Sequence, residues 1–338
     1  MTKAESSNDD TIEKFYEGEK LMKIRFGYVA NAVDLWDASP SKTLTFARYS
    51  ALTKNERVEK LKTVTAQNLY NTKRILYYNI AHEIELYRLS SSLVPLATHP
   101  EVMWDFVTPF KNEWKELGEI IQQYKLRVSF HPNQFTLFTS PREEVTFNAV
   151  IDMEYHYKML EVMNVLDQAL INIHIGGAYG DKIESLERFH QNLKKLPQHI
   201  KQKMTLENDD KTYNVLETLI ACEKEKVPMI LDYHHYMANV GEVDLNLYLA
   251  RIFDTWNTFN AKPKIHISSP KSDQAYRSHA DYVSIEFVLP FFQMAKELNR
   301  DFDIMIEAKQ KNLAMQSLVE EVAKIRGVKR ITSSSVEW

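Results

Sequence analysis

Short apolar runs alternate along this chain with longer stretches in which apolar residues recur every three or four positions. The short runs are KIRFGY (23–28), IELYRL (84–89), RVSFH (127–131), LINIHI (170–175), MTLE (204–207), PMILD (228–232), KIHIS (264–268) and DIMIE (303–307). Each predicts a strand. Helical periods are predicted between them, over residues 54–81, 110–124, 142–166, 184–196, 211–225, 244–257, 282–299 and 311–325. Strand–helix units repeated without a break in composition predict a single (β/α)8 TIM barrel. The alternative is an open doubly wound sheet. Its usual glycine-rich first turn is missing from GYVAN.

The strand ends carry the chemistry. Most finish in a residue able to bind a metal or a substrate: His131, His174, Glu207, Asp232, His266 and Glu307. The first strand ends in Tyr28 and the second in Arg88. In a barrel enzyme the C-terminal ends of the strands form the active face. Alternation gives the direction of each side chain. Ile171, Ile173 and Ile175 share one face, and Asn172 and His174 share the other. Ser129 with His131, Thr205 with Glu207, Lys264 with His266, and Met305 with Glu307 follow the same rule. The apolar faces would pack on helices, leaving imidazoles and carboxylates to line the interior.

Several such groups do not share an apolar interior as bare charges, because unpaired buried ions are costly and neighbouring carboxylates repel. Divalent cations resolve the conflict, and His with Asp or Glu suits Mn2+, Zn2+ or Fe2+ better than Ca2+ or Mg2+. Glu207 therefore reads as a metal ligand, and Asp209 and Asp210 as the acidic start of the next helix. His235, three residues past Asp232, is a further candidate ligand. Its neighbour His234 reads as a supporting or surface group. Spacing alone leaves His279 open and makes His99 structural. His82, His156, His190 and His199 read as packing or surface residues. Lys264 is anomalous among metals: it is neutral, modified or paired with surplus carboxylate, or its strand starts later and the ammonium reaches water. Lys309 and Lys311 lie near the mouth, as phosphate contacts or as a solvated helix start.

Composition narrows the class. The net charge of −4 argues against a generally basic nucleic-acid coat, without excluding a local basic groove. The one cysteine, Cys222, forms no internal disulfide and suits a reducing, cytoplasmic setting. No secretory signal and no membrane-spanning run are legible. Residues 1–22 are expected to form a flexible arm, residues 23–330 the barrel domain, and residues 331–338 (ITSSSVEW) a short unstructured tail.

The motifs RFGY, ATHP, FHPNQF, HIGGAYGDK, LENDD, DYHH, KIHIS, RSHA and IEAKQK occur in this order between Lys23 and Lys311. Together they resemble the UV-damage DNA endonuclease family. The resemblance implies a TIM barrel similar to endonuclease IV, holding two or three divalent metals. These are typically Mn2+, with Zn2+, Co2+ or Mg2+ as alternatives. It implies nicking of UV-damaged double-stranded DNA immediately 5′ to cyclobutane dimers and 6-4 products, and at abasic sites in some members. The expected ends are a 3′-hydroxyl and a 5′-phosphate. The expected protein is a cytoplasmic monomer with no membrane and no obligatory protein partner.

Carried over by motif, the resemblance makes Glu207 a carboxylate bridging two metals. His131 and His174 complete one site, and Asp232, His266 and Glu307 a second. His235 and His279 hold a third. It raises His99 to a polar site residue and makes Lys264 a carboxylated lysine, its carbamate replacing a repelled cation. Gln134 and Phe135 match a pair that wedges into the duplex, with Phe135 where a tyrosine is common. Tyr28 would line the lesion pocket, and Lys309 would meet DNA. Two other readings stay in view. A sugar isomerase or epimerase on a similar barrel would need an enclosed pocket and fewer ligands. A non-catalytic damage binder would have no use for the surplus of inward carboxylates.

Overall fold

The computed structural model describes residues 21–259 and 261–338. Eight parallel strands close on themselves: β1 (Lys23–Val29), β2 (Leu86–Arg88), β3 (Arg127–Phe130), β4 (Leu170–His174), β5 (Met204–Glu207), β6 (Met229–Asp232), β7 (Lys264–Ile267) and β8 (Phe302–Ile306). Each pairs with the next, and β1 joins β8 on one side and β2 on the other. The predicted (β/α)8 barrel is the fold. The closing seam is tight. A side chain on Gly27 would meet the Leu86 carbonyl oxygen at 2.1 Å, so glycine lets β1 and β2 approach.

The helices are α1 (Phe46–Ser50), α2 (Lys54–Ala81), α3 (Lys111–Gln123), α4 (Glu143–Val162), α5 (Lys182–Asn192), α6 (Gln198–Lys201), α7 (Val215–Glu225), α8 (Tyr233–Ala238), α9 (Leu249–Asp254), α10 (Ile285–Leu298) and α11 (Lys311–Val322). Local signals account for their starts. Thr53 and Glu56 form a reciprocal capping box before α2, and Asn214 and Glu217 form another before α7. That second box corrects the reading of Asp209 and Asp210. The helix begins at Val215, and the Asp209 carboxylate instead ties a turn, accepting from the backbone N–H groups of Lys211 and Tyr213 at 2.9 and 3.0 Å.

The outward strand faces bury Ile171, Ile173, Ile265 and Ile304 against this helical layer, where Trp114, Leu117 and Ile121 of α3 are among the residues buried. The inward faces are polar from bottom to top. Near the base, Asp303 accepts from Arg25 Nε and Nη2 at 2.7 Å each and pairs with Arg127. Above it Lys264 donates to Ser129 at 3.0 Å, and Thr205 donates to Asn172 at 2.9 Å. A polar column of this kind is tolerable because its members are paired with one another.

The C-terminal residues are not a loose tail. Lys329–Thr332 (β9) and Ser335–Glu337 (β10) form a hairpin, and β10 pairs antiparallel with β1 over Lys23–Arg25. Trp338 and Met22 exchange backbone hydrogen bonds of 2.9 and 3.0 Å. The cause is the short β2, which meets β1 only from Gly27 upward. The lower edge of β1 would otherwise be unpaired, and the hairpin supplies its partners. Val336 is fully buried, and the Lys296 ammonium sits 4.4 Å from the Trp338 ring centre. The arm expected over 1–22 lies outside the described residues apart from Leu21 and Met22. Among the described residues no helix is long and apolar enough to cross a membrane.

Candidate metal centre

Strand register builds the site. His174 on β4 is directly beside Glu207 on β5, and Asp232 on β6 is beside His266 on β7. Two pairs of inward donors thus stand side by side at the barrel mouth, offset by two residues where Glu207 pairs with Ile230. His131 enters from the end of β3 and Glu307 from the end of β8. His131 Nε2 stands 3.2 Å from Glu207 Oε2, and His266 Nδ1 stands 3.0 Å from the same oxygen and 3.1 Å from Glu307 Oε1. His235 Nδ1 lies 3.6 Å from Glu207 Oε1 and 3.8 Å from Asp232 Oδ2.

The donor atoms form three groups, each close enough for one ion: His131, His174 and Glu207; Glu207, Asp232 and His235; Glu207, His266 and Glu307. Glu207 belongs to all three. The grouping differs from the expected one at Asp232, which stands with His235 rather than with His266 and Glu307. Alpha-helical geometry is the reason: Asp232 caps α8 by accepting the His235 N–H at 2.7 Å, which brings both side chains to one spot.

The donor chemistry fits divalent metal ions. Glu207 Oε1, Asp232 Oδ2, His174 Nδ1 and His266 Nδ1 are buried without a hydrogen-bond partner, an arrangement that is costly unless a cation is bound. Outer contacts fix the ring orientations. His131 Nδ1 donates to the Pro132 carbonyl at 2.8 Å, His235 Nδ1 to that of Asn208 at 3.0 Å, and His279 Nδ1 to that of Glu307 at 2.6 Å. Each of these rings is thereby held by its Nδ1. Asn172 donates to Glu207, and Asn208 makes two 2.9 Å bonds with the backbone of Asp232. Asn208 carried one legible signal: it directly follows a strand-end ligand.

Electrostatics agree with this geometry. Burial would raise the Glu207 carboxyl, but His266, His174 and His131 outweigh it and hold it well below the usual range. Burial opposes charge on His266, yet Glu207 and Glu307 push it up to about 9. His235, likewise opposed by burial, is raised to about 9 by Asp232, Glu207 and Glu307. Burial lowers His131. Lys264 is fully buried within the barrel rather than reaching water. Burial and then Arg127 drive it well below its ordinary value.

The remaining candidates divide. His279 reaches the mouth, its ring centre 6.3 Å from that of His235, outside the three donor groups. His234 is no surface residue: it is fully buried, bonding Ser268 at 2.7 Å and the Tyr276 carbonyl at 2.6 Å. Gln134 and Phe135 line a cavity of about 490 Å3 together with His131, His174 and His235, and Phe135 is 72% exposed. Lys309 is exposed at the mouth, and Lys311 is half-buried behind it. Two residues stand apart. Tyr28 shares its strand face with Ile24 and Phe26, so it turns outward and donates to Asn79 of α2 at 2.6 Å; it does not line the mouth. His99 stacks on Phe46 of α1 at 4.0 Å and is not among the grouped donors. Arg88, read only as a strand end, forms an ion pair with Glu307.

The chain is similar to known proteins. The family described as UV-endonuclease UvdE matches residues 24–338. A UV DNA damage endonuclease of Bacillus cereus (strain Q1) is 58% identical over 317 residues, covering 94% of this chain and all of that protein. One from Bacillus anthracis is 57% identical with the same coverage. The crystal structure of SacUVDE superposes with a TM-score of 0.79 at 30% identity, covering 89% of this chain and all of the other.

Proposed function

Because this chain belongs to the UV-endonuclease UvdE family, we propose that it is a metal-dependent DNA repair endonuclease acting on UV lesions. It hydrolyses the phosphodiester immediately 5′ to cyclobutane dimers and 6-4 products in double-stranded DNA, and also acts at abasic sites, leaving a 3′-hydroxyl and a 5′-phosphate. The observation that carries this reading is Glu207, shared by three donor groups of which His131, His174 and His235 line an open groove. An open groove suits a duplex better than the enclosed pocket a sugar requires.

The ligands proposed are His131, His174, Glu207, Asp232, His235, His266, His279 and Glu307, and the preferred ion is Mn2+. When bound, such ions polarise the phosphate and lower the pKa of water. The chain's own residues do the rest. Arg88 holds the Glu307 carboxylate in place through their ion pair. Asn172 and Asn208 fix Glu207 and the β6 end. Lys264, its charged form disfavoured by burial and Arg127, adds as the free amine to CO2 with loss of one proton, and the carbamate puts an anion in place of a neutral amine beneath the ligands. Gln134 and Phe135, displayed on a turn in which Asn133 accepts the Phe135 N–H at 2.8 Å, wedge into the duplex where damage weakens stacking. Lys309 meets phosphate. The protein works as a monomer in the cytoplasm.

The test is nicking of supercoiled plasmid, irradiated or not, with Mn2+ or EDTA, beside a His174→Ala variant. Nicking that needs both irradiation and metal, and is lost in the variant, is expected. Irradiated plasmid left intact with Mn2+, Zn2+ and Co2+ would overturn the reading.

A further inference from the structure

Tyr179 lies in the loop between β4 and α5, within the motif HIGGAYGDK that supplies His174. Three observations single it out. Its backbone is left-handed, with φ +45°, a conformation aromatic residues rarely adopt. The residue is 45% exposed. The loop is nonetheless held firmly. Ser185, fully buried, donates to the Ala178 carbonyl at 2.5 Å, and Arg188 donates to Ser185 Oγ at 2.8 Å and to the Thr139 carbonyl at 3.1 Å. Arg188 thereby braces this loop against the β3–α4 loop that carries Gln134 and Phe135.

The ring also has a place. A Cβ atom on Gly177 would lie 3.5 Å from it, and Gly177 lines the same cavity as Gln134, Phe135, His131 and His174. A strained, solvent-facing aromatic on a braced loop adds nothing to the core. Strain retained at such a position points to a ligand. With His174 at the floor and Phe135 at the rim, the ligand of matching chemistry is a flat, unstacked nucleobase.

We propose that Tyr179 is a second stacking platform of the groove, which receives a nucleobase displaced by the Phe135 wedge and so sets affinity for distorted duplex. The proposal rests on the endonuclease reading above. Stacking requires the ring and not the hydroxyl.

The experiment is single-turnover nicking of a duplex holding one cyclobutane dimer, with Mn2+ and increasing enzyme. Tyr179→Ala should raise the half-saturating enzyme concentration about tenfold, as loss of one base–aromatic stack does, with the rate at saturation nearly unchanged. Tyr179→Phe should match the wild type. Tyr179→Gly should bind as weakly as the alanine variant yet melt at a higher temperature than the wild type, because glycine adopts φ +45° freely. A purely structural tyrosine predicts the opposite for the glycine variant, a lower melting temperature, and that result would overturn the proposal. So would an alanine variant that saturates like the wild type while the wild type nicks. If the wild type itself leaves the lesion duplex intact, the endonuclease reading falls, and this proposal with it.

Discussion

His266 Nδ1 stands 3.0 Å from Glu207 Oε2, and the two are not aligned as hydrogen-bond donor and acceptor. The ring nitrogen and the carboxylate oxygen converge on a shared point, as two ligands of one ion do. The same nitrogen lies 3.1 Å from Glu307, so the two carboxylates together favour the charged imidazole and push it up to about 9. A metal held here by His266, Glu207 and Glu307 would take the place of that proton.

Metal binding should therefore depend on pH with a definite sign. His266 and His235, both raised to about 9, are protonated at neutral pH and must lose their protons to bind an ion. Mn2+ affinity should rise with pH from 6.5 toward about 9 and level off above it. Calorimetric titration at pH 7.5, in buffers of different ionisation heat, should show proton release. Affinity that is flat across this range would contradict the assignment.

Glu207 serves all three donor groups, whereas His174 serves one. Glu207→Ala should strip more metal per chain than His174→Ala, measured by elemental analysis after gel filtration. Its nicking rate should fall by more than about 100-fold, the upper end of the loss produced by removing a mere outer-contact residue. Equal metal content in the two variants would show that Glu207 is not shared.

At the base of the barrel, Asp303 is the common partner of Arg25 and Arg127. Burial alone would raise its carboxyl, but Arg127 and Arg25 outweigh that and lower it. A lowered carboxyl contributes stability above the ordinary Asp value of about 4, and that contribution is lost as pH falls through the folded value. Asp303→Asn leaves two guanidinium groups without their counter-charge and should cost about 3–5 kcal/mol. Urea melts at pH 7 check the magnitude. The variant should also lose less stability than the wild type on acidification.

Removing residues 329–338 should destabilise the barrel, although they lie far from the metal centre. The truncation deletes the hairpin that pairs the lower half of β1 and uncovers that edge. Thermal melts should show a lower midpoint together with concentration-dependent association. An unchanged melt would mean that β1 needs no partner there.

Much of this molecule is written in period-two alternation. Ile171, Ile173, Asn172 and His174 face where their spacing requires, because a strand buried on one side against helices has no other register open to it. The ligand pairs follow, since residues ending neighbouring parallel strands come side by side. Some misplaced expectations had a signal in the chain. Tyr28 has the parity of Ile24 and Phe26, and Asn214 with Glu217 spells a capping box. Other features have no local signal. The role of the C-terminal hairpin depends on how far down β1 the strand β2 reaches. The pairing of Asp232 with His235 depends on a helix starting directly at the end of β6. The lowering of Lys264 depends on burial and on Arg127, Arg88 and Arg25, brought from three other strands into one closed interior. Sequence by itself determined which way each strand faces and which donors crown it, because those are properties of single segments. Only the tertiary structure decided which donors come within reach of one another and which charges meet, because Coulomb interaction and edge pairing act between segments far apart in the chain.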